Sequence, residues 1–223
     1  MQTTVAAIYT GQGLAEPLQA IFREELPEVR LVHMIDDSLI ADVIRTGELS
    51  PAIARRLVRH YHNAEELGAD MILNTCSSVG EIADAAQALI GVPIVKIDDA
   101  MAQQAASNFE RIGVLATLPS TLEPTMRLIG NKAKLADRQV KLVNGLADGA
   151  FAALVSGKPE AHDQLLLQTA RTIADEVDVL VLAQGSMARM ELELTAAIGK
   201  PVLSSPRLGV RQLKRMLDDA ALA

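Results

Sequence analysis

The chain holds one cysteine, Cys76, which follows the run Met71-Ile72-Leu73-Asn74-Thr75 and precedes Ser77-Ser78-Val79-Gly80. A thiol can move a proton at carbon or attack carbon. Two adjacent hydroxyls can hold a carboxylate or an enolate oxygen. The stretch has an echo 108 residues later: Asp178-Val179-Leu180-Val181-Leu182-Ala183-Gln184-Gly185-Ser186-Met187 repeats the pattern from Asp70. Ser186 matches Ser78, and Gln184 stands where Cys76 would be. The register continues without a gap, Ile90-Gly91-Val92-Pro93 matching Ile198-Gly199-Lys200-Pro201. Two similar halves are predicted, with equivalent loops facing one cleft, one bearing a thiol and the other an amide. Glutamine exchanges no proton near neutral pH, so Gln184 is read as a binder or orienter.

The elements around Cys76 suit such chemistry. The apolar run reads as a buried strand, and a helix is predicted to start near Val79 or Gly80. Free N–H groups and the partial positive charge of a helix start favour a thiolate and a bound carboxylate. A buried structural cysteine is the plain alternative, since free cysteine is among the most buried residue types. The Ser-Ser flank and the echo favour a functional one. Thr10-Gly11-Gln12-Gly13 and Thr117-Leu118-Pro119-Ser120-Thr121 end the first strand of each half, and their hydroxyls suit a substrate carboxylate. The candidate set is therefore Cys76 for catalysis, with Thr10, Asn74, Thr75, Ser77, Ser78, Thr117, Gln184, Gly185 and Ser186 for substrate binding.

Other chemistries find less support. Gly11-Gln12-Gly13 lacks the third glycine and acidic partner of a dinucleotide fingerprint. His33, His60, His62 and His162 share no metal-ligand spacing, and no G-x-S-x-G elbow is present. Neither metal nor organic cofactor is expected. Asp36-Asp37-Ser38 follows the second strand, where helix capping competes with a place at the mouth of a cleft. Arg55, Arg56, Arg59 and His60 read as a solvated helix face.

Strand-like and helix-like segments alternate throughout. Strands are predicted at 4–9, 29–35, 70–75, 93–97, 111–116, 138–143, 178–183 and 201–204. Helices fall between them at 14–26, 38–45, 50–67, 79–89, 98–110, 121–133, 148–155, 159–176 and 187–198, with a last one at 207–222. Ser50 and Pro51 make a strong helix start and Gly68 a stop. Short continuous apolar strands separated by helices indicate parallel sheets covered on both faces. The expected fold is α/β with two pseudo-symmetric lobes, each a short, mostly parallel sheet flanked by helices, and the active site in the cleft between them. Lobe 1 is expected to take 1–98 plus a C-terminal helix at about 205–223, and lobe 2 to take 99–204.

Composition sets the class. The 223 residues suffice for a well-buried core. With 49% apolar residues but only 2 Tyr, 3 Phe and no Trp, that core must be aliphatic, and an aryl-binding pocket is disfavoured. No apolar run reaches the roughly 18 residues of a membrane span, and the start lacks the basic segment of a signal peptide. One cysteine allows no intrachain disulfide, which fits a reducing cytoplasm. The net charge of −7 argues against nucleic acid as a partner.

The duplicated strand-turns resemble those of the aspartate/glutamate/hydantoin racemase superfamily. The likeness rests on Val5–Tyr9, Asp70–Gly80, Ile112–Thr117 and Asp178–Met187. It implies a small carboxylate substrate, no metal or cofactor, and a homo-oligomer. In racemases of this kind two opposed cysteines act, one removing a proton beside a carboxylate and the other delivering one. The resemblance places Cys76 on the first cysteine, Gln184 on the second, and Ser77, Ser78 and Thr117 on substrate-binding positions. Single-cysteine relatives include arylmalonate decarboxylase, whose cysteine lies on the other loop. The expected activity is a cofactor-independent isomerase acting next to the carboxylate of a small amino, hydroxy or sugar acid. A decarboxylase or lyase, and a non-catalytic small-acid binder, are the alternatives.

Overall fold

The computed structural model describes residues 2–222, with side chains described as far as residue 220. The described residues form two compact units, 2–97 with 206–222, and Asp98–Ser205.

The first unit runs β1 (Thr4–Tyr9), α1 (Ala15–Glu25), β2 (Arg30–Ile35), α2 (Ser38–Thr46), α3 (Pro51–Glu66), β3 (Met71–Asn74), α4 (Gly80–Ala86) and β4 (Ile94–Lys96). Its strands lie in the order β2-β1-β3-β4, every neighbouring pair parallel. Alternation along the strands sends side chains to opposite faces, and both faces are dry. Ala6, Ile8 and Ile72 meet α2, α3 and α4 through Leu39, Val43, Ile53, Leu57 and Ala83. Val5, Ala7, Tyr9, Met71 and Leu73 face the other way, onto Leu18 and Phe22 of α1. Ser50 caps α3 by accepting from the Ile53 N–H at 3.4 Å, with Pro51 in the first turn. Gly68 then closes the segment at φ 84, a backbone state that a Cβ would strain.

The second unit runs α5 (Asp99–Asn108), β5 (Arg111–Ala116), α6 (Pro119–Leu135), β6 (Lys141–Leu146), α7 (Ala150–Val155), α8 (Pro159–Ile173), β7 (Val179–Leu182), α9 (Glu191–Ile198) and β8 (Val202–Ser204). Strand order is β6-β5-β7-β8, again fully parallel. Leu115, Leu180, Leu182 and Val202 pack on α8 and α9 through Leu166, Ala170 and Leu194. The opposite face is covered by α5 and α6. Both units are therefore three-layer α/β structures of one topology, the fold class expected from the sequence.

Several boundaries shift by one to four residues, and two of the shifts have a visible cause. The strand predicted at 138–143 is β6 at 141–146. Asn144-Gly145 reads as a turn signal, yet Gly145 sits inside the strand because a Cβ there would lie 2.9 Å from the Val114 carbonyl oxygen. The helix predicted from Met187 begins only at Glu191, since Gly185–Met190 winds as a 3-10 helix.

The last helix, α10 (Ser205–Leu222), returns to the first unit, where Val210 and Leu213 join the α1 side of the core. Gly209 permits that return. A Cβ on it would stand 2.6 Å from the Ile97 carbonyl oxygen. Gly209→Ala is expected to destabilise the fold by about 1–3 kcal/mol through overpacking. A urea titration monitored by circular dichroism checks it; an unchanged midpoint would show that α10 shifts without cost.

Candidate functional site

In a parallel α/β sheet the carboxyl ends of the strands carry the loops that bind ligands. β1 and β3 are neighbours, and the Thr75 N–H extends their ladder to the Ile8 carbonyl at 3.1 Å. Thr10 and Cys76, just past these strands, are thereby brought together. The Thr10 and Ser78 hydroxyls and the N–H groups of Ser78 and Val79 all lie where they favour negative charge on the Cys76 sulfur. Cys76 itself is extended (φ −124, ψ 116) and leads into a 3-10 turn, Ser77–Val79, ahead of α4. Ser77 and Ser78 are buried, whereas Cys76 keeps part of its surface.

The electrostatic balance differs from the sequence expectation of a stabilised thiolate. Burial pushes the Cys76 thiol up, and the bonds from Thr10, Ser78 and Val79 lower it by less. Water removed from around the sulfur costs the charged form more than four donors return. Cys76 therefore rests as a protonated acid near neutral pH. Its alkylation by iodoacetamide should rise at a higher pH than that of an ordinary cysteine; a midpoint at or below the ordinary value would contradict this balance.

Asn74 and Thr75 are engaged within the protein. The Thr75 hydroxyl donates to the Ile8 carbonyl at 2.9 Å. Asn74 Oδ1 accepts from the Tyr61 hydroxyl at 3.0 Å, and Asn74 Nδ2 donates to the Cys76 carbonyl at 3.0 Å. Both ends of the amide thus support the turn.

In the second unit Thr117 and Gln184 stand in the equivalent places after β5 and β7. Gln184 Oε1 accepts from the Thr117 N–H at 2.8 Å, and Gln184 Nε2 donates to Thr117 Oγ1 at 2.6 Å. The Gln184 amide is thus engaged with the loop that follows β5. Thr10 bonds the thiol in one unit, and Thr117 bonds the amide in the other. Gly185 and Ser186 follow in the 3-10 helix, with Ser186 exposed. Further along that helix Arg189 bonds Asp163 of α8 at 2.7 Å, and Asp163 also bonds buried His162 at 2.7 Å.

Two neighbours of the Cys76 turn escaped the sequence reading: Tyr61 and Lys96. Lys96 lies beside Asn74 in the β3–β4 register. Its side chain is 10% exposed and its ammonium meets Asp84 at 2.7 Å. The stem runs under α4, where a Cβ on Gly80 would be 3.5 Å from Lys96 Cδ. A lysine inside the apolar run Pro93–Ile97 was the available signal.

The basic cluster on α3 is only partly a solvated face. Arg55 and Arg59 are exposed, but Arg56 bonds both oxygens of Asp36 at 2.8 Å and Asp42 at 2.8 Å. His60 adds a contact to Asp36 at 3.0 Å. Burial opposes ionisation of Asp36, yet Ser38, His60 and Arg56 together hold its carboxyl well below the usual range. Asp37 occupies the N-cap position of α2 without a capping bond, and accepts from Gln12 instead at 2.8 Å. Among the described residues no three His, Cys, Asp or Glu side chains are grouped to hold a metal ion, and no helix is long and apolar enough to cross a membrane.

The Asp/Glu/hydantoin racemase family model matches residues 8–213. The chain belongs to that family. Its fold is shared with solved racemases. Allantoin racemase from Klebsiella pneumoniae aligns at TM-score 0.73 and 17% identity, over 98% of this chain and 89% of that one. Glutamate racemase from Francisella tularensis, in complex with D-glutamate, aligns at TM-score 0.79 and 14% identity, over 99% and 83%. A glycine-to-cysteine mutant of arylmalonate decarboxylase aligns at 0.60 and 16%, over 95% and 92%. No curated protein sequence matches the chain. The present member carries its thiol on the first strand-turn and, on the second, an amide bonded to Thr117.

Proposed function

We propose that this family member is a cofactor-independent isomerase, of racemase or epimerase type, acting at the carbon next to the carboxylate of a small amino, hydroxy or sugar acid. The observation that supports it most is the ring of donors around Cys76: Thr10, Ser78 and the Val79 N–H meet the sulfur at the carboxyl end of a parallel sheet. Those donors stabilise the thiolate when it forms, so the thiol can give its proton to carbon and take one back. Ser77 is assigned to the substrate carboxylate, whose second oxygen gains charge as the carbon loses its proton, while Ser78 serves the sulfur. Thr117, Gly185 and Ser186 are assigned to substrate oxygens as donors at the carboxyl end of the second sheet. Gln184 shuttles no proton, so exchange on the opposite face uses water or a group outside the Cys76 turn.

The test is deuterium wash-in at the α-carbon, followed by proton NMR over a panel of small chiral carboxylates in heavy water. Exchange with loss of optical purity supports the proposal. Binding without exchange would make the protein a small-acid binder.

One observation favours a second reading, decarboxylation. A thiol held protonated by burial is suited to protonating the enediolate left when carbon dioxide departs. The bond to the carboxyl carbon breaks, its electron pair stays on the α-carbon, and the Cys76 proton fills that position. Carbon dioxide release from substituted malonates separates this reading from the first.

A further inference from the structure

The thiol-bearing turn is held from beneath by a polar relay with no counterpart in the repeat. Tyr61 lies on the buried stripe of α3, with Ile53, Leu57 and Ala64, and is 0% exposed. Its hydroxyl is nonetheless paired, donating to Asn74 Oδ1 at 3.0 Å, and Asn74 passes the interaction to the Cys76 carbonyl at 3.0 Å. That carbonyl also accepts from the Val79 N–H at 3.3 Å, closing the 3-10 turn. Asn74 is 1% exposed, so its oxygen cannot turn to water if the phenol is removed. In the echo, Asn74 is replaced by Leu182, an apolar core residue that can pass on no hydrogen bond.

We propose that Tyr61 is a positioning residue for the Cys76 turn: by fixing the Asn74 amide it sets the Cys76–Ser77 peptide plane, and with it the donors that face the sulfur. The Cys76 carbonyl, which only accepts, selects the orientation in which Nδ2 meets it, and Tyr61 anchors the Oδ1 end so that the amide holds its place. A carbonyl gripped by Asn74 and Val79 leaves the next peptide little freedom, so the Ser78 N–H keeps its aim at the sulfur and the Val79 N–H stays shared between the carbonyl and the sulfur. Loss of the phenol strands Oδ1 in a dry site and lets Asn74 withdraw. The sulfur then loses well-directed donors, and its thiolate becomes harder to form. The ionisable groups around this relay are Tyr61, Asp84 and Lys96; Asp84 and the Cys76 thiolate both act on the Tyr61 phenol, which burial raises far above its usual range. The consequence for turnover rests on the function proposed above; the positioning does not.

The experiment is iodoacetamide alkylation of Cys76 as a function of pH in the full chain, for the wild type, Tyr61→Phe, Asn74→Ala and the double variant. Tyr61→Phe should move the profile to higher pH and slow alkylation at pH 8 by about three- to tenfold, the equivalent of one net hydrogen bond. The double variant should match Asn74→Ala alone, because both changes break one relay. An unmoved or lowered profile in Tyr61→Phe, or additive shifts in the double variant, would overturn the proposal. Melting curves accompany each variant. If Tyr61→Phe does not fold, Asn74→Ala probes the relay from its other end, and an unmoved profile there overturns it equally. Full turnover in Cys76→Ser would remove the functional reading and leave the alkylation profiles to judge Tyr61.

Discussion

Cys76→Ser is expected to lower turnover by about 10²- to 10⁴-fold or more, the range of a positioned proton-transfer group, while the melting temperature stays within a degree or two of the parent. The change is nearly isosteric. A serine oxygen can accept the same bonds from Thr10, Ser78 and Val79 that the sulfur accepts. What it cannot do is ionise: a hydroxyl is a far weaker acid than even a thiol raised by burial. The measurement pairs deuterium wash-in with a thermal melt. Retained exchange with an unchanged melt would show that Cys76 is neither acid, base nor nucleophile. Lost exchange with a collapsed melt would assign it to the core, and Cys76→Ala would then separate packing from chemistry.

The parts of this molecule that could be read from the sequence are those governed by local pattern. β1, β3, β5 and β7 are central strands dry on both faces, so they appear as continuous apolar runs, and the repeat from Asp70 to Asp178 located both turns. Ser50-Pro51 announced α3 because capping is a property of a few adjacent residues. What stayed hidden depends on partners distant in the chain. Thr117 and Gln184 are 67 residues apart, and nothing in either loop says that the amide turns back onto the threonine. Tyr61 falls in a helical apolar stripe and reads as core, which it is; its hydroxyl gains a role only because α3 packs over the face of β3 that carries Asn74. Arg56 and His60 read as solvated because their partner, Asp36, lies at the end of a different strand. The net balance at the thiol was hidden for a related reason. The donors from Ser78 and Val79 are local and visible, but Thr10 arrives through strand pairing and the burial that outweighs them all comes from the packed unit.

Gln184→Cys is expected to lower native turnover and stability together, with no gain in exchange at carbon. The obvious motive for the substitution is to restore the second thiol that two-cysteine racemases use. The bonds of Gln184 argue against that result. Its amide spans Thr117, taking the N–H at 2.8 Å and giving a hydrogen bond to Oγ1 at 2.6 Å. A cysteine side chain is two heavy atoms shorter and cannot serve both. Thr117 is 5% exposed, so its stranded N–H finds no ready water, at a cost of about 1–3 kcal/mol. The direction of the threonine hydroxyl changes as well. While Oγ1 accepts from Gln184, its own proton points elsewhere and can be donated; without the amide that proton is free to rotate. Gln184→Glu supplies the control, because a carboxylate can accept from the Thr117 N–H yet draws the hydroxyl proton back onto itself. The glutamate variant should therefore keep its melting temperature and still lose turnover, whereas the cysteine variant should lose both. Faster deuterium exchange in Gln184→Cys at an unchanged melting temperature would mean that the amide is not a brace, and that this loop still has the geometry of a second proton-transfer site.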